Sequence, residues 1–444
     1  MLLTKSLYIK LIAVLLTCCS FVVFGQTAND NRRPQTAIEL KRAQMAKKQT
    51  LGQVESNSFA ALRKEIPLFQ LIRWKSSGVV NAEFKEVQRA PMKGINTDEL
   101  DMSRVFSEES MKDEADNERA VVPSSSSLRG NSEFEFYDIP TARTFQMTAS
   151  MAEMAVFSRS MSRNPDETNP LDRLDGRAVA QDEQIRKSWS NANDGRTRRA
   201  IADGFSDTNP IYQRIAEYGG CSANVISANS QRMVAITAAH CIFPTANTFS
   251  NSVLSPRSNG GPSPTWGTWQ AIGFGYTPDY LDALIANDCT SDGSDFSPCI
   301  HHDIAIVIAV PNSGATPPKS MGWAYRSKSW LKGKNKYRRG YPGCGESHSP
   351  AGCTVSNLYG DGAFSIGSLS HPVSGGWNRE MKVSTDLNPG DSGSGAYYYN
   401  GDYPYVFAVT SAEANCHETC NYTHVNALRR ITPVWFDFLS DVIL

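Results

Sequence analysis

Apolar residues are grouped along this chain in three different ways. From about Tyr212 onward they form short continuous or alternating runs, at 225–226, 233–237, 304–310, 397–399 and 406–410, each bounded by Gly, Pro, Asn or Ser. Runs of that length, cut off by turn residues, predict an all-β sandwich or barrel rather than alternating strands and helices. Near the start one unbroken stretch, LIAVLLTCCSFVV at 11–23, follows Lys5 and Lys10. It falls short of the ~20 apolar residues that a membrane-spanning helix needs, and it predicts an export signal removed near Gly25–Gln26. Between these two regions, residues 26 to about 190 are rich in charge, Ser, Asn and Met, and show helical spacing in short segments such as 59–72 and 145–157. The tail, 428–444, has the spacing of an amphipathic helix.

Composition sharpens the division. Only 7 of the 32 glycines precede residue 200, and no cysteine lies between 20 and 220. Lys plus Arg number 44 against 45 Asp plus Glu, a net charge of −1, which gives no electrostatic case for nucleic acid or an anionic membrane. Export into an oxidising compartment, extracellular or periplasmic, favours disulfides for the later cysteines. The preferred scheme pairs near neighbours: Cys221 with Cys241, Cys289 with Cys299, Cys344 with Cys353 and Cys416 with Cys420. Cys416, His417, Cys420 and His424 could be drawn as a metal site, but secretion and one-sided spacing argue against it, and no metal or cofactor is expected. Lipidation at Cys18 or Cys19 is a weaker rival to signal cleavage, because Thr17 and Cys18 are not the small residues that usually precede a lipidated cysteine.

The expected organisation is therefore a signal peptide at 1–25, a partly disordered prosegment at 26–199 and a folded domain at 200–444. Basic residues at Arg186-Lys187 and at Arg196, Arg198 and Arg199 mark possible processing points, so the prosegment ends somewhere between 187 and 199.

Three motifs carry chemistry. MVAITAAHC at 233–241 runs an apolar strand into His240; HHDIAIVIAV at 301–310 sets Asp303 before a buried strand; NPGDSGSG at 388–395 places Ser392 among glycines. A serine hydroxyl needs a base to take its proton and a third group to orient that base, roles open to His240 and Asp303. Attack on an acyl carbon also builds charge on oxygen, and each backbone amide aimed at it contributes about 2.7–4 kcal/mol. Gly390 and Ser392 are the candidate donors.

Taken together, in the order His, Asp, Ser, these motifs resemble the trypsin/chymotrypsin superfamily of serine endopeptidases over residues 200–444. The resemblance implies two six-stranded antiparallel β-barrels with a C-terminal helix and an active site between them. It also implies a Cys221–Cys241 bridge, a substrate-binding strand at 406–412 that includes Thr410, Ser411 and Ala412, and a last strand at 421–425. NDGRTRR at 193–199 and GYPGC at 340–344 resemble the bacterial glutamyl-endopeptidase-like branch. Cleavage after Arg199 would expose Ala200, whose new ammonium would pair with Asp391; a start nearer Ser188 is the alternative.

Asp386 occupies the place of the carboxylate that binds Arg or Lys side chains in trypsin-like enzymes. Ala412 and Cys420 stand where glycine is usual, and Val409 stands where glutamyl-specific relatives carry histidine, so specificity stays open. The stretch 243–300 reads as a long insertion of surface padding. His301 and His302 adjoin Asp303 but lack the strand and disulfide setting of His240. The expected molecule is a monomeric, secreted zymogen acting on protein or peptide substrates, with its own prosegment as a partner. The rival readings are a secreted binding protein that keeps the fold without turnover and an esterase-like hydrolase, whose GxSxG elbow sits between a strand and a helix.

Overall fold

The computed structural model describes residues 83–89, 92–95, 131–150, 176–189, 199–200, 209–258, 261–263, 265–286, 298–343, 357–360, 364–373, 377–384, 387, 390–412, 426–432, 434–436 and 438–439. The expected signal peptide, the helical spacing at 59–72, the last strand at 421–425 and the processing points at 196 and 198 lie outside these residues.

The first barrel is built from β6 (Ile215–Tyr218), β7 (Cys221–Ala228), β8 (Met233–Thr237), β10 (Val253–Pro256), β11 (Trp269–Tyr276) and β12 (Ala305–Pro311). They pair in the ring β11-β10-β6-β7-β8-β12, and β12 returns to β11, so the barrel closes. Every side chain of β8 is buried, as expected of a strand hydrogen-bonded on both sides with both faces covered. Part of the stretch read as an insertion is barrel wall: β10 and β11 fall inside 243–300, with Trp269 fully buried.

The second sheet runs β16 (Ile366–Val373), β17 (Trp377–Val383), β20 (Asn426–Arg430), β19 (Tyr403–Ala412), β18 (Gly395–Asn400), β14 (Tyr337–Gly340), β15 (Tyr359–Gly360) and β5 (Arg199–Ala200), with β13 (Gly322–Trp323) added at β19. Near its two ends lie β15 and β16, neighbours in sequence, so the sheet curls back toward itself. No pairing closes the ring among the described residues, so the second sheet is a half-barrel, and beside the closed first barrel it gives the expected two-barrel, chymotrypsin-like architecture. Residues 428–430 belong to β20, and the closing helical turns are at 434–436 and 438–439.

Parts of the expected prosegment are folded into the same core. The strands β3 (Asn131–Asp138) and β4 (Arg143–Ser150) form a hairpin whose β3 pairs with Gly273–Tyr276 of β11, while β1 (Glu83–Val87) covers β4. Residues 145–150, expected to be helical, are strand because β3 supplies a partner. Phe134 stacks on Phe438 at 4.0 Å between centroids and meets Trp435 edge-on at 5.3 Å. Glu135 is held by Arg89 at 2.7 Å and by the Tyr276 hydroxyl at 3.0 Å. A helix, α1 (Gly176–Trp189), lies against the second sheet. Among the described residues no helix is long and apolar enough to cross a membrane.

Candidate active site

Register brings two of the three motif residues together. Strands β8 and β12 run antiparallel with Thr237 opposite Ala305. The chain leaving β8 and the chain entering β12 therefore emerge side by side. His240 sits in the single turn α2 (Ala239–Ile242), and Asp303 follows α3 (Pro278–Ile285) and α4 (Pro298–His302) just before β12. Asp303 is 1% exposed. Its Oδ1 accepts from the His240 backbone N–H at 2.9 Å, and its Oδ2 lies 2.7 Å from His240 Nδ1. Ser411, at the end of β19, donates its hydroxyl to the same Oδ2 at 2.6 Å. Three contacts on one carboxylate fix the plane of the imidazole and direct Nε2 away from the aspartate.

The serine turn is pressed backbone-on-backbone against the first barrel. The Ser222 amide donates to Ser392 O at 2.8 Å, and the Ser222 hydroxyl donates to Gly390 O at 2.9 Å while accepting from the Tyr341 amide at 2.8 Å. Gly393 has φ +78°, and a Cβ there would lie 2.1 Å from Thr237 Oγ1, 2.2 Å from Ser222 O and 2.9 Å from Ala238 N. Only glycine lets the turn approach so near the residues leading to His240. Gly390 has φ +92°, and a Cβ there would meet Tyr341 O at 2.5 Å, so the GYPG strand end backs directly onto the turn.

Among the described residues the amides of Gly390 and Ser392 donate to no backbone carbonyl, and Ser392 is part-exposed. The turn is held from behind instead. Gly393 N donates to Thr410 O and Ser394 N to Asp391 O, both at 2.8 Å. Thr410 Oγ1 and Ser394 Oγ share a hydrogen bond at 2.8 Å.

Asp391, expected to receive a new N-terminal ammonium, binds Arg338 of β14 at 3.0 Å, with both side chains 1% exposed. Ala200 pairs with Tyr359 in β5 of the uncut chain. Arg338 and Ser222 were not foreseen as parts of the site; neither stands in a motif, and only the pairing of β14 with β18 shows what Arg338 faces.

His301 and His302 contact charged residues of other elements. His301 Nδ1 lies 3.4 Å from Glu380, and His302 contacts Arg379 at 2.9 Å and Asp279 at 3.2 Å. Burial pulls Arg379 below the usual guanidinium range. Arg429, near Asp303, is lowered further, first by burial and then by the Arg379 charge. Val409 is wholly buried in the hydrophobic core.

Cys221 and Cys241 form the expected disulfide. Cys299 is also disulfide-bonded, while its expected partner Cys289, together with Cys344, Cys353, Cys416, Cys420 and Asp386, lies outside the described residues. Potential metal-ligand atoms of Cys221, His240 and Cys241 lie within 4.8 Å of one another, but both sulfurs are committed to the bridge.

No family model and no curated protein matches the chain. Among solved structures, a thermostable serine protease, AL20, from an extremophilic microorganism is 17% identical, with 52% of this chain and 98% of that one covered and a TM-score of 0.35. The protease Anisep from Arthrobacter nicotinovorans is 15% identical, with 52% and 95% covered and the same TM-score.

Proposed function

We propose that the chain is a secreted serine endopeptidase, made as a zymogen, that cuts peptide bonds through an acyl-enzyme. The observation that carries this reading is the Asp303 carboxylate holding His240 at two points, the main-chain N–H and Nδ1, while accepting from Ser411. An imidazole so held presents Nε2 as the proton acceptor for Ser392. Substrate binding would draw the serine hydroxyl to Nε2, since catalytic hydrogen bonds are often loose in unliganded sites. Ser392 Oγ attacks the scissile carbonyl; His240 takes its proton and returns it to the leaving amine; the Gly390 and Ser392 amides receive the oxyanion. Water then repeats the sequence on the ester. No cofactor enters the scheme. The substrate is a protein or peptide laid along the end of β19 at Thr410, Ser411 and Ala412. The glutamyl-endopeptidase-like branch is favoured by the GYPG strand end, which abuts Gly390.

A fluorophosphonate probe tests the reading. Ser392 of the processed protein is expected to be labelled, and His240→Ala to abolish labelling. The rival reading is a secreted binding protein with a protease-like fold. Failure of the processed wild-type chain to label would establish that alternative.

A further inference from the structure

Helix α1 falls inside the stretch 26–199 that the sequence assigns to a prosegment, yet its central carboxylate is built into the second sheet. Asp182 is wholly buried. Its Oδ1 accepts from Tyr212 Oη at 3.2 Å and Arg339 Nη2 at 3.0 Å, and its Oδ2 accepts from Tyr397 Oη at 2.8 Å and Tyr399 Oη at 2.9 Å. Glu183, next in the chain, accepts from Tyr337 Oη and from Asn335 Nδ2 at 3.2 Å. One turn earlier, Ala178 O accepts from Asn209 Nδ2 at 2.9 Å. The donors come from separated segments, at 209–212, 335–339 and 397–399, and four of them converge on one point. A fully buried guanidinium ringed by phenols is a receptor for a single carboxylate, and helix α1 supplies it. Withdrawing the helix would leave that receptor without its acceptor. One expected processing bond, Lys187–Ser188, also lies within the helical span, where the chain is not extended for a protease.

We propose that residues 176–189 are a permanent part of the folded protein, seated on the Tyr212–Arg339–Tyr397–Tyr399 receptor through Asp182 and retained there when the chain is cut on either side. Only the occurrence of cutting is taken from the protease reading. The test below uses an external protease, so it is independent of whether Ser392 turns over.

The full-length chain is given two recognition sites for a site-specific protease, one inserted between Arg163 and Asn164 and one between Ala192 and Asn193. After cutting, the helix is held by docking alone. Gel filtration followed by denaturing mass spectrometry is expected to show the helix peptide eluting with the body at one copy each. Asp182→Ala should lower the retained fraction at least tenfold. A wild-type body that sheds the peptide and still melts cooperatively at its original temperature would overturn the proposal, as would equal retention by Asp182→Ala. A wild-type body that unfolds as the peptide leaves would also overturn retention by docking.

Discussion

Asp303 carries more of the site than any other side chain, because its two oxygens answer to three donors. Replacing it with Asn keeps the shape but turns one acceptor into a donor, which favours the wrong imidazole tautomer. Asp303→Asn should therefore lower kcat by about 10⁴-fold with little change in KM, measured on a peptide substrate. Arg338 makes a different demand. Arg338→Ala leaves Asp391 buried without its cation, a change that typically costs about 3–5 kcal/mol, and a drop in melting temperature of matching size is expected. His240, Asp303 and Ser392 were legible in the sequence because each stands in a short run of small or apolar residues that has little other use. Arg338 was not: within KYRRG it reads as surface charge, and its burial becomes visible only once β14 is paired with β18.

Among the elements, the serine turn and helix α1 show how closely backbone and side chains are fitted. Gly393→Ala would drive a methyl group into Ser222 O and Thr237 Oγ1. Loss of both folded yield and fluorophosphonate labelling is expected, and recovery of either at wild-type level would show that the turn can shift. Around Asp182, burial raises the hydroxyl pKa of Tyr212, Tyr397 and Tyr399 well above the usual value, and the aspartate charge raises it further. In the unfolded chain these tyrosines ionise near pH 10. The folded chain keeps their protons to higher pH, so the contribution is complete below about 10 and is lost as pH climbs through the folded values. Alkaline melts should show stability falling above about pH 10, less steeply for Tyr397→Phe. Strand β4 was misread as helix because FQMTASMAEM has helix-compatible residues, whereas the alternation in SEFEFYD at 132–138 was a usable signal for its partner. Strand β11 was lost inside an apparent insertion because Gly273 and Gly275 interrupt its apolar run.

For the molecule as a whole, the frontier drawn at residue 200 from composition does not coincide with a break in packing. Low glycine and high charge before that point could not show that a hairpin from the first region supplies Phe134, Phe136 and Phe145 to a core completed by Trp435 and Phe438. That arrangement depends on contacts about 300 residues apart in sequence, beyond the reach of any local pattern. Phe134→Ala should destabilise the entire protein, by about 3–5 kcal/mol, rather than release the hairpin alone; a single cooperative transition, followed at once by tryptophan fluorescence and circular dichroism, would report this. The first barrel also has a doubled margin, since β10 takes one end of the β11 edge and β3 takes Gly273–Tyr276. A product trimmed past residue 150 would bare those amides and carbonyls beside uncovered aromatic rings. Such a margin is a template for foreign strands, so an overtrimmed chain would be prone to clump into insoluble aggregates.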